Sequence, residues 1–355
     1  MARPIAVAPQ PLRAVAAAVL QGAGCPPDEA KVVADHLVGA NLAGHDSHGV
    51  IRLVTYVPWL ADGMVRAGRK AKVTHETEVG AVVDGDRGLG QAIGEEAVRV
   101  GIDKARTRGI AVVAVRNTGH LGRIGHWAER AAEAGLVSMH YVNTTGFGML
   151  VAPFGSTEAR LSANPMAFGA PRRGAPPIIL DISTAAIAEG KIKVARAAGK
   201  ALPAGLVLDG DGRPTTDPAA FYGPPRGAIL PFGGHKGHGL SVMIELLAGA
   251  LTGGGTTDPG RDDARYLLNN MLSIYLAPDL LGTGDAYIAE AERLTAWVTG
   301  APPAGTGDRV LMPGDVERET AARRSAEGIP LDANTAAELR RLAEGFGADP
   351  AALAG

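Results

Sequence analysis

Gly88-Leu-Gly-Gln-Ala-Ile-Gly94 lies between a short β-branched run, Ala81-Val82-Val83, and a helix-like segment over 95–107. A glycine turn between strand and helix is where a Rossmann domain carries its dinucleotide fingerprint. The spacing here is GxGxxxG, one residue longer than that fingerprint. About 20 residues on, near Ala111, no acid stands ready to take a ribose hydroxyl. Turn glycines account for the stretch equally well. Outward from it the chain alternates. Strand-like runs occur at 110–115, 137–142 and 178–182, and helix-like segments at 124–134 and 240–251. That alternation predicts an α/β domain with a mixed, largely parallel sheet.

Farther out, 12–22 and 28–42 read as helices. The second opens with Pro26-Pro27-Asp28-Glu29, a proline and acids suited to a first turn. Ala30, Val33, Leu37 and Val38 give it one apolar face. It runs into the polar turn 43–49. The stretch 209–218 is turn chemistry throughout, so it predicts an exposed loop or hairpin. A flexible connection is expected at 253–265, and a tail helix capped by Asn334 or Thr335.

Composition narrows the function. The 355 residues carry a formal charge of −2 and 4% aromatics, against a basic or base-stacking surface, so no nucleic-acid partner is expected. The apolar run at 14–20 is too short to span a membrane. One cysteine, Cys25, excludes an intrachain disulfide and a multi-cysteine zinc site, and suits a cytoplasmic location.

Four segments carry chemistry. In Gly44-His-Asp-Ser-His-Gly-Val-Ile-Arg52, two imidazoles, a hydroxyl and a guanidinium stand within nine residues. They make either a polar helix terminus or a proton-transfer site in which Arg52 clamps a carboxylate. Asn117-Thr-Gly-His120-Leu-Gly-Arg-Ile-Gly125 follows a strand and exposes backbone N–H groups at a helix start, a setting for phosphate; His120 alone could simply hold the turn. Leu180-Asp-Ile-Ser-Thr184 ends another strand and offers either ribose contacts or a helix cap. Leu230-Pro-Phe-Gly-Gly-His235-Lys236-Gly-His-Gly239 lets backbone and a point charge approach an anion, without the Walker order. His36, His45, Asp46 and His48 have no clean metal spacing, so no metal is expected. Ser47 next to His48 lacks the nucleophile elbow of a hydrolase.

Together, and in this order, these segments resemble the type 2 malate/L-lactate dehydrogenase family. The likeness covers nearly the whole chain. It includes His45-Asp-Ser-His-Gly49, Val151-Ala-Pro-Phe-Gly155, Asn164-Pro165, Gly190-Lys191, Pro214-Thr-Thr-Asp-Pro218, Gly234-His-Lys-Gly237 and Leu311-Met-Pro-Gly-Asp315. Asn41–Gly49 and Gly122-Arg-Ile-Gly125 are most similar to the hydroxycarboxylate dehydrogenase B branch.

The resemblance implies an NAD(P)-dependent oxidoreductase that interconverts 2-oxo and 2-hydroxy acids. Its cofactor is NAD or NADP, in a non-Rossmann NAD(P)-binding domain. Related members reduce cyclic imines such as piperideine-2-carboxylate, and a non-catalytic nucleotide-binding protein is a further alternative. The implied organisation is a helical N-terminal region, 1–75, packed with a C-terminal helical region, 310–355. The cofactor-binding α/β region is then 76–309, and the assembly a homodimer. Carried over by position, Ser47, His48, His120 and Arg52 are the catalytic set, with either histidine as general acid/base. Cofactor contacts fall on His48, Gly122, Arg123, Ile124, Leu180, Asp181, Ile182, Ser183, Thr184, His235, Lys236, Asn270, Pro313, Gly314, Asp315 and Val316. One departure is Ala163, where many members have threonine; the substrate hydrogen bond supplied there is either missing or made by Ser162.

Overall fold

A strand with no alternating pattern, Leu-Leu-Asn-Asn-Met-Leu-Ser-Ile-Tyr-Leu, forms the middle of the main sheet. The computed structural model describes residues 4–146, 148–258, 267–305 and 309–353. Its strands are β1 (Ile5–Val7), β2 (Lys72–Glu76), β3 (Gly80–Asp84), β4 (Ile110–Thr118), β5 (Val137–Gly146), β6 (Met166–Ala170), β7 (Ile178–Ile182), β8 (Val207–Leu208), β9 (Pro214–Thr215), β10 (Leu267–Leu276) and β11 (Ile329–Leu331). Its helices are α1 (Pro9–Gly22), α2 (Pro27–Leu42), α3 (Leu53–Ala61), α4 (Gly90–Arg108), α5 (Gly125–Glu133), α6 (Glu189–Ala197), α7 (Pro218–Phe221), α8 (His235–Ile244), α9 (Gly284–Thr299), α10 (Asp315–Glu327) and α11 (Ala333–Gly345).

The main sheet runs β2-β3-β4-β10-β5-β6-β7. The four strands foreseen in the sequence, β3, β4, β5 and β7, all point the same way. The expectation of a largely parallel sheet is nevertheless corrected, because β2, β10 and β6 interleave in the opposite direction. Among the described residues of this sheet, only β3 and β4 pair in parallel; its other five ladders are antiparallel. The α4 crossover returns β4 beside β3, as a strand–helix–strand unit must. The α5 crossover does not bring β5 next to β4, because β10 occupies the gap. Asn269, Asn270 and Ser273 sit in β10 and are buried, since helices and turns cover both faces of the sheet centre.

Helices α4 and α5 cover one face, with Val83, Ile93, Val98, Val113, Val115 and Trp127 in a common core. The opening glycine stretch belongs to this packing. A side chain at Gly94 would begin 2.5 Å from the Trp127 ring. One at Gly90 would begin 2.3 Å from the His120 carbonyl oxygen. These glycines bring α4 against the segment that carries a candidate catalytic histidine.

A second core unites the chain ends. Leu12, Val19, Val33, Leu37, Leu53, Tyr56 and Trp59 pack with Ile329, Leu331, Leu339 and Leu353. Strands β1 and β11 pair antiparallel there, Ile5 opposite Leu331. The tail helix is capped two residues before Asn334, the earlier of the two expected caps. Its cap is Asp332, whose carboxylate accepts from the N–H groups of Asn334 and Thr335 at 3.0 Å each. A third core holds Val151, Ile192, Leu202, Val207, Phe221 and Ile229. The 209–218 turn closes the β8–β9 hairpin here, Val207 opposite Thr215. Residues 253–258 of the expected connection are turns, and 259–265 lie outside the described residues.

Candidate active site

Helix α2 ends at Leu42, and the chain makes two tight turns, Asp46–His48 and Val50–Arg52, before α3. Asn41 ties the turns down: its Oδ1 accepts from Val50 N at 2.8 Å and its Nδ2 donates to Asp46 at 2.7 Å. Arg324 of α10 grips the same Asp46 carboxylate with both terminal nitrogens, at 2.7 and 3.0 Å. Asp46 is therefore a structural clamp. Arg52 Nε donates to Ser47 O at 2.6 Å. The Ser47 hydroxyl has no hydrogen-bond partner among the described residues. Gly190, at the start of α6, lies over it; a side chain there would begin 3.1 Å from Ser47 Cβ.

His48 meets His120 here although 72 positions separate them. Their rings stack with centroids 5.2 Å apart and planes 7° from parallel. Tyr56, one turn of helix beyond Arg52, places its hydroxyl 2.6 Å from His120 Nδ1, and Gln91 Nε2 donates to that hydroxyl at 2.8 Å. Burial first, then the Arg52 guanidinium, presses the His48 pKa down to about 3. The same two causes, in the same order, hold His120 well below the usual imidazole range. Both rings are neutral at pH 7, beside a cation.

The Gly122–Gly125 turn is set by a residue not assigned a role from sequence. Buried His36 accepts from Arg123 N at 3.0 Å through Nε2. Gly122, at φ 76°, passes against that nitrogen, and a side chain there would begin 2.3 Å from it. The Arg123 guanidinium is 5% exposed and paired with Glu129, yet its Nη1 has no partner. Gly125 N donates to Asp181 Oδ2 at 2.9 Å, so Asp181 caps α5 rather than the helix after its own strand. Burial pushes the Asp181 carboxyl up.

The remaining segments meet around this turn. Ile179 N donates to Pro313 O at 3.2 Å, and Arg318 reaches Pro177 O at 2.8 Å. A cavity of about 210 Å³ opens between Arg123, Asp181, Gly314, Glu129, Glu317 and Arg318. Asp315 turns inward, accepting from Met312 N at 2.7 Å, while Val316 is exposed. Leu180 and Ile182 lie on β7 with Ser183 just beyond. The Thr184 hydroxyl donates to Ala163 O at 2.9 Å. Ser162 is buried. His235 and Lys236 are exposed at the start of α8 and join β7 through Phe232 N, which donates to Thr184 O at 3.0 Å. Among the described residues, no hydrogen bond or ring contact links them to His48 or His120. Asn270 is buried. It accepts from Asn117 N at 3.0 Å and donates to Asn143 and Gly255 at 3.0 and 3.3 Å, so its side chain is spent on supporting the Asn117 corner.

The donor set suits an anionic, hydroxyl-bearing cofactor. An unpaired buried guanidinium nitrogen answers a phosphate, and the carboxylates beside it answer ribose hydroxyls. Among the described residues, no group of three or more His, Cys, Asp or Glu is placed to hold a metal.

The sequence profile of the malate/L-lactate dehydrogenase family matches residues 7–340. Hydroxycarboxylate dehydrogenase B of Escherichia coli K12 is 42% identical over 328 residues, covering 92% of this chain and 90% of that one. L-lactate dehydrogenase of Cupriavidus necator is 39% identical over 335 residues, covering 94% and 95%. The solved sulfolactate dehydrogenase of Methanocaldococcus jannaschii superposes with a TM-score of 0.86 at 32% identity, covering 98% of this chain and 99% of that one. The stacked histidines, the Gly122–Gly125 turn and the whole-chain match agree: the protein belongs to the malate/L-lactate dehydrogenase family.

Proposed function

We propose that this protein is a nicotinamide-dependent oxidoreductase that interconverts 2-oxo acids and 2-hydroxy acids, using NAD or NADP. The observation that carries this reading is the neutral His48–His120 stack beside the Arg52 guanidinium. When bound, the nicotinamide supplies the hydride for C2. The chain does the rest. Arg52 keeps its two Nη groups for the substrate carboxylate, because its Nε is committed to Ser47 O. That carboxylate offsets the cation that, after burial, disfavours a charged imidazole. The imidazole pair then gives a proton to the oxygen at C2, or takes it back in the oxidative direction. Arg123, Asp181, Gly122 and Ile124, with the Pro313–Gly314 turn, would hold the phosphate and ribose of the cofactor, and Lys236, next to His235, would supply an outer cationic contact. Ser47 lines the substrate side beneath Gly190, and Asn270 acts as support.

We assign a homodimer to the exposed apolar face of α8 and the π turn Glu245–Ala250 that continues it. Leu240, Met243, Leu246 and Leu251 follow helical spacing and are 38 to 68% exposed, a contiguous patch that a second copy would cover. A reducing cytoplasm suits the single buried thiol, Cys25.

The test is loss of reduced-nicotinamide absorbance with glyoxylate, pyruvate, hydroxypyruvate and oxaloacetate, using NADH and NADPH in turn. Turnover of at least one 2-oxo acid supports the reading. Turnover of piperideine-2-carboxylate alone transfers the protein to imine reduction, and no turnover with bound cofactor makes it a nucleotide-binding protein without this chemistry. Light scattering gives the mass in solution; a monomer refutes the dimer.

A further inference from the structure

Tyr56 belongs to no motif singled out in the sequence, and Gln91 stands among the glycines of the 88–94 stretch, yet together they control which nitrogen of His120 faces the cleft. Tyr56 is 2% exposed and Gln91 fully buried. The Tyr56 oxygen lies 2.6 Å from His120 Nδ1 and accepts from Gln91 Nε2 at 2.8 Å. A phenol has one proton to give. The amide NH2 can only donate, so the phenol accepts on that side and donates its own proton to Nδ1. Nδ1 is then an acceptor, and the single proton of the neutral ring sits on Nε2. His120 is half-buried, and Nε2 has no hydrogen-bond partner among the described residues. The amide orientation is the favourable one. It leaves Gln91 Oε1 unpaired, whereas the reverse would leave a buried N–H unpaired, the rarer defect.

We propose that Tyr56, braced by Gln91, is a positioning residue that fixes His120 as the Nε2–H tautomer, so that His120 presents a hydrogen-bond donor to the substrate oxygen. If neutral His120 released its only proton with Nδ1 still accepting from Tyr56, it would become an imidazolate, so in this tautomer the ring polarises the carbonyl. The two stacked rings beside Arg52 also disfavour a double positive charge. This inference rests on the 2-oxo acid reading above and assigns the role of His120 within it.

The experiment uses full-length, ligand-free protein labelled with 15N-histidine, with the His120 signals assigned from their loss in His120→Asn. Expected in the wild type are an unprotonated Nδ1 and a protonated Nε2. Tyr56→Phe keeps the ring packed near Trp59, 5.9 Å away, and removes only the donor. It should mix the tautomers and lower kcat about 5- to 10-fold, the worth of one hydrogen bond, with the KM for cofactor unchanged. Gln91→Glu offers the phenol an acceptor instead, and should shift His120 to Nδ1–H. A wild-type Nδ1–H signal, or an unchanged tautomer in both variants, overturns the proposal. If Tyr56→Phe does not fold, the wild-type and Gln91→Glu spectra decide. The spectra need no turnover, so inactivity toward every 2-oxo acid would defeat the activity reading while leaving the tautomer assignment to stand or fall separately.

Discussion

Arg52 commits one nitrogen to the backbone of the turn beside it, and its planar Nη fork has no hydrogen-bond partner among the described residues. Lysine has no such fork, so Arg52→Lys should raise the KM for a 2-oxo acid about 10- to 100-fold through weakened charge-assisted hydrogen bonding. Steady-state kinetics check this; an unchanged KM removes Arg52 as the carboxylate clamp. His48→Ala should lower kcat about 10²- to 10⁴-fold, the usual worth of a general acid or base. Quenching of protein fluorescence by reduced nicotinamide should survive the change, and near-normal turnover would remove His48 from proton transfer. These residues were legible because they cluster within short motifs. Tyr56, Gln91 and His36 were not. Their partners lie 64, 35 and 87 positions away, and only burial gives their hydrogen bonds a role.

Between residue and fold stands α4, whose first turn packs against the backbone that presents His120. Gly90→Ala puts a methyl where a carbonyl oxygen already lies, 2.3 Å away, so helix or loop must move. Overpacking of this kind costs about 1–3 kcal/mol. We expect a lower Tm and, because His120 is displaced, a kcat reduced beyond what the stability loss explains. Thermal melts and kinetics on one preparation check both, and a fully active, equally stable variant would show that the contact relaxes without consequence. The glycines of this stretch resemble a nucleotide fingerprint, and their spacing together with the missing acid near Ala111 argued against it. What they do instead is visible only from the far side of the contact. Strand β10 was invisible for a related reason. A central strand buried on both faces shows no period of two, and its asparagines gain their partners, Asn117, Asn143 and Thr144, only in the folded chain.

For the molecule as a whole, buried neutral histidines make acid the weak side. His140 lies between Ser273 and Ser138 at 2.9 and 3.1 Å, and burial lowers its pKa from 6.5 to about 3. His48 is likewise lowered to about 3. The unfolded chain therefore binds protons at these sites below pH 6.5 while the folded chain does not, and stability falls as pH drops from 6.5 toward 3. Tm should decline across that window, and His140→Gln should flatten the slope; a Tm independent of pH from 6.5 to 4 would contradict it. By itself the sequence determined the α/β class through its local alternation, and the family, with the non-Rossmann domain it implies, through the motifs that resemble it; His48, His120 and Arg123 stand inside those motifs. The tertiary structure alone decided that β10 divides the sheet, that His48 stacks on His120, and that Tyr56 and Gln91 hold the second ring. Each of these is a contact between distant parts of the chain, selected by burial and hydrogen-bond satisfaction, and no local pattern encodes it.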